Sequence, residues 1–298
     1  MIMKINKKAQ NITLAIIASI ALIGFILGTF LDQKITGKIG DFDNFIGILF
    51  TGIGHIPSLL VGVFAGCTLF FIPKLKSKSW NIILRVVGAL AVIICIFFQI
   101  EEGVKYVNYP KMEAEAATWK ALLISFIGLA NLAIILFSRI WIKKMDQNAI
   151  LPACIAILSI IVFYVLSCEV LKYLASRPRP RVVYQGVIEF KQWYQWQPLN
   201  ALHSEFKDCK SFVSGHTSNA ACLVTLLPIC ASLSRKENSL KIQIMCSIIG
   251  ALFVFVVAFA RIIGMAHYMS DVMGGILLSI AMQAVVINVA PTIIKKFK

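Results

Sequence analysis

Residues 149–170 read AILPACIAILSIIVFYVLSCEV, a run of 22 residues that holds one charged side chain, Glu169. At a rise of about 1.5 Å per residue, a helix of this length spans the hydrocarbon core of a bilayer, which is about 30 Å thick. We therefore predict an all-α, polytopic integral membrane helical bundle with about eight transmembrane helices, because seven further apolar runs occur. These seven runs are 12–31, 47–72, 81–100, 121–142, 217–233, 242–260 and 271–291. In the second run we expect an irregular helix start, since Pro57 cannot donate a backbone hydrogen bond.

The composition of the 298-residue chain excludes most soluble classes of protein. Hydrophobic residues make up 59% and charged residues 14%, whereas ordinary soluble domains carry about 25% charged residues. Disordered, collagen-like and coiled-coil proteins are excluded by the same figures. Seven of the eight cysteines fall in or beside apolar runs, and no Cys-x-x-Cys pair occurs. We therefore expect neither a disulfide framework nor a zinc site.

The basic excess of the chain is explained by membrane topology. The net charge is +15, from 29 Lys and Arg against 14 Asp and Glu. If the N-terminus lies inside, the inner face receives 16 of these cations and only two acids, Asp146 and Glu237. This is the asymmetry of the positive-inside rule. We therefore predict a protein of the cell membrane with both termini cytoplasmic, whose partners are membrane lipids and not nucleic acid.

The one long polar segment, 171–216, lies on the predicted outer face and holds a first cluster of candidate site residues. Lys172, Arg177, Arg179 and Arg181 occur within ten residues of one another. Arginine presents a planar fork to phosphate oxygens, and lysine presents a point charge. A stop-transfer cap or a lipid-headgroup contact is the alternative, although the positive-inside rule disfavours cations on this face.

Two further clusters are predicted on the same face. Ser214, Gly215 and His216 precede the sixth run, where a helix N-terminus offers free N–H groups to an anion. Between the seventh and eighth runs, His267 and Asp271 lie four residues apart, so the carboxylate is in position to orient the imidazole. Taken singly, a helix cap with a chance histidine and a surface ion pair explain these clusters equally well. Together, two histidines, a carboxylate and several cations fit phosphoryl transfer.

The three clusters resemble the signatures of the type-2 phosphatidic acid phosphatase superfamily. That family includes lipid phosphate phosphatases and bacterial phosphatidylglycerophosphate and undecaprenyl-pyrophosphate phosphatases. Its first signature, KxxxxxxRP, is matched by residues 172–180. Its second, PSGH, is matched by 213–216 with Val213 in place of proline, and its third, SRxxxxxHxxxD, by 260–271 with Ala260 in place of serine. The two departures leave the charged residues of the signatures intact.

The resemblance implies a role for each motif residue. His267 is implied as the nucleophile, which passes through a phosphohistidine, with Asp271 orienting it. His216 is implied to protonate the leaving oxygen and then to activate water. The implied phosphate-binding residues are Lys172, Arg179, Ser214, Gly215 and Arg261. The scheme implies no metal and no other cofactor.

The resemblance also implies a six-helix phosphatase core, so that two of the eight predicted spans are extra. We expect the extra transmembrane pair in residues 1–80. The core, with its outer loop 171–216, is then expected in residues 81–298.

Two polar residues near these clusters are expected to have supporting roles. His55, near the outer end of the second run, is interpreted as a structural polar residue. Glu169 lies three residues before Lys172, and a charge pair on one helix face is the expected role.

The remaining polar residues of the outer loop are weaker candidates. Arg177 and Arg181 are candidates for additional phosphate contacts, although no motif position requires them. The aromatic stretch 184–200 and the following His203 are expected at the membrane interface. A lid or a headgroup-selecting role is the alternative for this stretch.

From these patterns we predict a metal-independent phosphatase of lipid phosphomonoesters or pyrophosphates, with its site at the headgroup level of the outer face. The alternatives are an inactive or transport-type relative with the same fold and a phosphatase of soluble phosphate esters. Transport paths are marked by charges within the membrane, and the interiors of the predicted spans are almost free of them.

The charge distribution predicts the accessibility of two loops. In a cysteine-free background, a cysteine introduced as Asn200→Cys should react with a membrane-impermeant maleimide in intact cells. A cysteine introduced as Asn238→Cys should react only after the membrane is opened. Labelling of position 238 in intact cells would reverse the predicted orientation.

Overall fold

The computed structural model describes residues 5–72, 78–105, 116–196, 206–233 and 240–296, and all regular structure in these ranges is helical. The helices are α1 (Lys7–Ile39), α2 (Phe45–Ile53), α3 (Ile56–Phe71), α4 (Lys78–Lys105), α5 (Ala116–Trp141), α6 (Gln147–Ala175), α7 (Pro180–Tyr184), α8 (Gly215–Ser232), α9 (Leu240–Ile263) and α10 (Met269–Lys296). Two short 3₁₀ helices, Ile142–Lys144 and Phe206–Cys209, join them.

Within the described residues, seven helical stretches are long and apolar enough to cross a membrane, with α2 and α3 counted as one. A bilayer interior supplies no hydrogen bonds to the backbone, and a helix satisfies its own N–H and C=O groups. The prediction of a polytopic helical membrane protein is therefore confirmed.

The second predicted span is broken, as the position of Pro57 indicated. Helix α2 ends at Ile53, and α3 begins at Ile56 with the proline in its first turn, where a missing N–H is tolerated. His55 lies between the two helices and is 3% exposed. The break thus places a polar side chain at the junction inside the bundle.

The predicted span 217–233 corresponds to α8, which is the helix that falls outside the seven membrane-crossing stretches. Its first turns carry the polar residues His216, Thr217, Ser218 and Asn219, and each is at least nine-tenths buried. Helix α8 packs against α3, α6, α9 and α10. Its polar residues are therefore surrounded by protein and not by lipid.

One end of the bundle is assembled from the starts of α1, α6 and α9 and the end of α8. The backbone N–H of Asn6 donates to Oε1 of Gln243 (2.9 Å), and the N–H of Asp146 donates to the carbonyl of Leu233 (2.9 Å). The motif residues lie at the other end, where α1 and α6 end and α8 and α10 begin.

Close helix contacts bring the motif segments together at that other end. The N–H of Ser214 donates to the carbonyl of Asp271 (3.0 Å), and the N–H of Ser211 donates to the carbonyl of Arg177 (3.0 Å). A Cβ on Gly275 would lie 2.7 Å from the carbonyl oxygen of Ser214. This glycine therefore allows α10 to approach the start of α8.

The first three helices pack directly on the later ones. Helix α1 lies along α10, α2 contacts α9, and α3 contacts α4, α5, α6 and α8. The division into residues 1–80 and 81–298 stays a prediction.

Candidate active site

A cavity of about 390 Å³ lies where the motif segments meet. Five of the eight predicted site residues line it, and they come from α6, the segment after it, α8 and the loop between α9 and α10. These five are Lys172, Arg179, Gly215, His216 and His267. The other three, Ser214, Arg261 and Asp271, are completely buried next to them. The structure thus brings together residues that are up to 99 positions apart in the sequence.

His267 is held in one tautomer by a backbone carbonyl. Its Nδ1 lies 2.7 Å from the carbonyl oxygen of Ser211, and because a carbonyl only accepts, Nδ1 must carry the proton. The neutral ring then has its lone pair on Nε2. Burial lowers the pKa of His267 well below its usual value, and the nearby positive charges of Arg261 and Arg179 lower it further. Both effects favour the neutral ring, which is the form that can act as a nucleophile.

Asp271 supports His267 through an intermediate residue. Its carboxylate lies 3.9 Å from Nδ1 of His267, which is longer than a hydrogen bond. Oδ2 instead accepts from the hydroxyl of Ser211 (2.5 Å) and from the backbone N–H of Tyr268 (2.9 Å). Asp271 therefore fixes the residue whose carbonyl orients His267, where the motif alone predicted a direct contact.

His216 lies at the start of α8 and faces two residues from the second span. Its Nε2 donates to the carbonyl of Thr51 (3.0 Å). The ring of His55 meets it edge to face, with 5.3 Å between ring centroids. Nε2 of His55 donates to the carbonyl of Gln99 (3.3 Å), and Nδ1 of His55 has no hydrogen-bond partner among the described residues.

Two arginines supply buried positive charge near the histidines. Arg179 is 9% exposed, and its Nε and Nη1 have no hydrogen-bond partner within the described part of the chain. Its backbone N–H donates to the carbonyl of Asp208 (2.8 Å), which fixes the segment after α6. Arg261 at the end of α9 donates through Nη1 to the hydroxyl of Thr51. A buried guanidinium that lines a cavity without a partner is suited to an anionic ligand.

Lys172 and Gly215 lie side by side on the cavity wall. A Cβ on Gly215 would lie 3.0 Å from Nζ of Lys172, so glycine keeps the space beside this ammonium group open. Nζ also contacts Oε1 of Glu169 (2.7 Å), in agreement with the expected charge pair. Ser214 caps α8, because its Oγ accepts from the N–H of Thr217 (3.5 Å).

The two residues that differ from the signatures, Val213 and Ala260, are buried and pack inside the protein. Val213 is 1% exposed and belongs to the main hydrophobic cluster. Ala260 is completely buried, and its carbonyl oxygen would lie 3.3 Å from a Cβ on Gly47 of α2. Neither side chain carries a polar group of the site.

The weaker candidates of the outer loop are placed elsewhere. Arg177 forms ion pairs with Asp32 (2.8 Å) and Asp271 (2.6 Å), and Arg181 pairs with Asp208 (2.7 Å). Neither arginine lines the cavity, so neither is placed to bind phosphate there. The predicted position of His203 falls outside the described residues.

The aromatic stretch is described as far as residue 196 and packs against α1. Nε1 of Trp193 donates to the hydroxyl of Thr29 (3.0 Å). Its ring stacks on Phe212 at 5.5 Å between centroids and lies 4.9 Å from Phe25. Phe212 follows Ser211 directly, so this packing supports the segment that orients His267.

Several residues of the site could not be selected from the sequence. Thr51 and Ser211 act through backbone carbonyls, which every residue possesses. The sequence favours a structural role for His55, and the structure places it in the cavity lining beside His216. The only sequence signal for it was its rarity, since the chain has four histidines.

Apolar groups also line the cavity. They include Leu59 of α3, Phe98 of α4 and Val165 of α6. The cavity therefore combines cations and histidines with apolar and acidic side chains of the membrane helices.

Comparison with known protein families supports the motif assignment. Residues 152–295 match the model of the PAP2 superfamily. No curated protein matched the chain, and no solved structure matched it. The matched range holds α6 to α10 almost entirely, and with them all eight predicted site residues.

The Nε and Nη1 groups of Arg179, which no described residue pairs, predict a measurable anion affinity. Arg179→Gln should weaken the binding of inorganic phosphate to the detergent-solubilised protein by at least about tenfold, since charge-assisted hydrogen bonds contribute about 1.5–3 kcal/mol each. Isothermal titration calorimetry measures the affinity. Arg139→Gln, on the exposed surface of α5, is the matched control and should bind as the wild type does. Equal affinities of the Arg179 variant and the control would exclude Arg179 from the anion site.

Proposed function

Since the chain belongs to the PAP2 superfamily through residues 152–295, whose members are phosphatases, we propose that it hydrolyses lipid phosphomonoesters or pyrophosphates through a phosphohistidine. The observation that carries this proposal is the geometry of His267. Its Nδ1–H is engaged by the Ser211 carbonyl, its Nε2 has the lone pair, and Lys172 and Arg179 line the same cavity. This is the arrangement that nucleophilic attack on a bound phosphate requires.

In the proposed first step, Nε2 of His267 attacks phosphorus, and the bond from phosphorus to the leaving oxygen breaks. Lys172 and Arg179, which line the cavity, neutralise the charge on the phosphoryl oxygens, together with backbone N–H groups at the start of α8. The buried Arg261 adds positive charge behind them. His216 enters this step as an imidazolium, with its Nε2–H on the Thr51 carbonyl, and gives its Nδ1 proton to the leaving oxygen, which departs as an alcohol or as a phosphorylated lipid. The product of this step is a phosphohistidine at His267.

In the proposed second step, water displaces the histidine. His216, now neutral, accepts a proton from the attacking water, which the geometry of one shared cavity supports. Phosphate leaves, and His267 returns to its neutral form with the proton on Nδ1. The cycle uses one histidine as nucleophile and one as acid and base.

The cations already present supply the positive charge for which other phosphatases use metal ions. Among the described residues, no group of three or more His, Cys, Asp and Glu side chains is arranged to hold a metal ion. We therefore propose a metal-independent reaction.

The lipid substrate is inferred from the position and lining of the cavity. It lies at one end of a bundle of membrane helices, and the side chains of Leu59, Phe98 and Val165 extend its wall with apolar surface. A phosphate ester of a hydrocarbon would place its headgroup among the cations and its chain along this wall. The charge asymmetry of the loops supports a site on the outer face of the cell membrane.

A phosphate-release panel tests this proposal. Purified protein in detergent should hydrolyse a long-chain lipid phosphate with a higher kcat/KM than glucose 6-phosphate, and EDTA should leave the rate unchanged. His267→Ala should release no phosphate from any substrate. Equal or better turnover of the sugar phosphate would favour a phosphatase of soluble esters, and loss of activity on chelation would contradict the metal-independent mechanism.

The two histidines should be separable by pre-steady-state kinetics with p-nitrophenyl phosphate. General acid–base assistance contributes about 10²–10⁴-fold, and p-nitrophenolate needs little help to leave. His216→Ala should therefore release up to one equivalent of p-nitrophenol in a burst and then react slowly, because hydrolysis of the phosphohistidine still needs a base. With a lipid substrate, the same variant should lose about 10²–10⁴-fold in kcat.

The control for this experiment is a variant that lacks the proposed nucleophile. His267→Ala should show neither burst nor turnover, and acid-labile phosphate trapped on His216→Ala should map to His267. A burst in His267→Ala, or trapped phosphate on another residue, would require the roles to be reassigned.

A further inference from the structure

Arg177 is one of the most completely buried side chains of the protein, with 1% of its surface exposed. Its Nη2 donates to Oδ2 of Asp32 on α1 (2.8 Å), and its Nη1 donates to Oδ1 of Asp271 on α10 (2.6 Å). Nε donates to the carbonyl of Lys191 (2.8 Å). The guanidinium also lies 4.3 Å from the ring centre of Tyr268. One buried cation thus connects the end of α1 to the start of α10.

Asp32 itself holds the first turn of α10. Its Oδ1 accepts from the backbone N–H of Ser270 (2.9 Å), and its Oδ2 accepts from the hydroxyl of Ser270. A carboxylate at this position satisfies an N–H group that has no partner within the helix. Asp32 therefore fixes both the side chain and the helix turn that place Asp271.

The contacts continue from Asp271 to the candidate nucleophile. Asp271 accepts from the hydroxyl of Ser211 (2.5 Å), and the carbonyl of Ser211 accepts from Nδ1 of His267 (2.7 Å). A continuous chain of hydrogen bonds therefore runs from Asp32 through Arg177, Asp271 and Ser211 to His267.

The need for stability alone does not account for this cluster. Two buried carboxylates share one guanidinium, and a buried ion pair is often no more stabilising than well-packed apolar residues of similar volume. Polar networks of this kind do specify one arrangement of the groups that they connect. The cluster ends at His267, the imidazole that attacks phosphorus in the proposed chemistry.

From this chain of contacts we infer that Asp32 and Arg177 are positioning residues for His267, so that the N-terminal helix α1 is part of the active-site architecture. Asp32 lies outside the range 152–295 that matches the family, and Arg177 occupies no fixed position of the signature. Both act through Asp271 and Ser211, and neither touches the cavity. The inference rests on the proposed phosphatase activity.

Asp32→Asn is the first test variant, because it is nearly isosteric and leaves one buried carboxylate for one guanidinium. It should lower kcat for a lipid phosphate by about 10–100-fold, since a small misplacement of a reacting group costs up to about 10²-fold. KM should change by less than about threefold, because the phosphate-binding cations keep their positions. Single-turnover phosphorylation of His267 should slow in parallel with kcat.

A double-mutant cycle distinguishes positioning from general stabilisation. Ser211→Ala removes the hydroxyl that links Asp271 to the segment holding His267. If Asp32 acts along this path, the variant with both Asp32→Asn and Ser211→Ala should be no slower than the slower single variant within about threefold. Effects of the two substitutions that multiply in kcat would show that the residues act independently and would overturn the inference.

Two further variants distinguish a loss of positioning from a loss of folding. Ser270→Ala keeps all three charges and removes the hydroxyl that contacts both Asp32 and Arg177, and it should lower kcat by about three- to tenfold. Asp43→Asn, an exposed acid of the loop after α1, is the matched control and should keep the wild-type kcat. Thermal unfolding in detergent reports whether each variant is folded.

The experiments distinguish a failure of the inference from a failure of the proposed function. If the wild type releases phosphate and both Asp32→Asn and Ser270→Ala have its kcat, the positioning role is excluded while the phosphatase stands. If the wild type hydrolyses none of the phosphate esters, the proposed function fails, and the inference falls with it.

Discussion

The absence of hydrogen-bonding groups in the interior of a bilayer is the constraint on which this structure depends. Each backbone N–H and C=O in that environment must find its partner within the protein, so the described chain is helical wherever it is regular. The same constraint forces polar side chains to the ends of helices or to the centre of the bundle. Helix α8 shows both, since its polar first turns lie at one end and are enclosed by α3, α6, α9 and α10.

The candidate site uses the places where the helical pattern must stop. Helix ends leave N–H and C=O groups without partners, and the functional contacts are made there. The carbonyl of Ser211, just before α8, orients His267, and the carbonyl of Thr51, near the end of α2, orients His216. The geometry of the candidate site is thus set by backbone groups at breaks between helices as much as by the motif side chains themselves.

The charges of the site are divided between two environments. Lys172 and Arg179 face the cavity, where a phosphate would complete their contacts. Arg177 is enclosed between carboxylates from α1 and α10 and is already satisfied. Two arginines that are two residues apart in the sequence therefore have different surroundings. Arg179 lines the cavity, whereas Arg177 is directed into the bundle towards Asp32 and Asp271.

The sequence by itself determined the fold class and most of the residues that the structure brings together in the candidate site. Apolar runs long enough to cross a bilayer predict the helices, because length and hydropathy are local properties. The spacing within each motif predicts the histidines, the carboxylate and the cations, because each motif lies on one helix end or one short loop.

The tertiary structure decided which of these side chains meet and through which partners. The contact of His267 with Ser211, the place of His55 beside His216 and the pairing of Asp32 with Arg177 join residues that are 56, 161 and 145 positions apart. Contacts of this kind depend on how the helices pack, and packing depends on the shapes of surfaces from the whole chain and not on any one stretch of it.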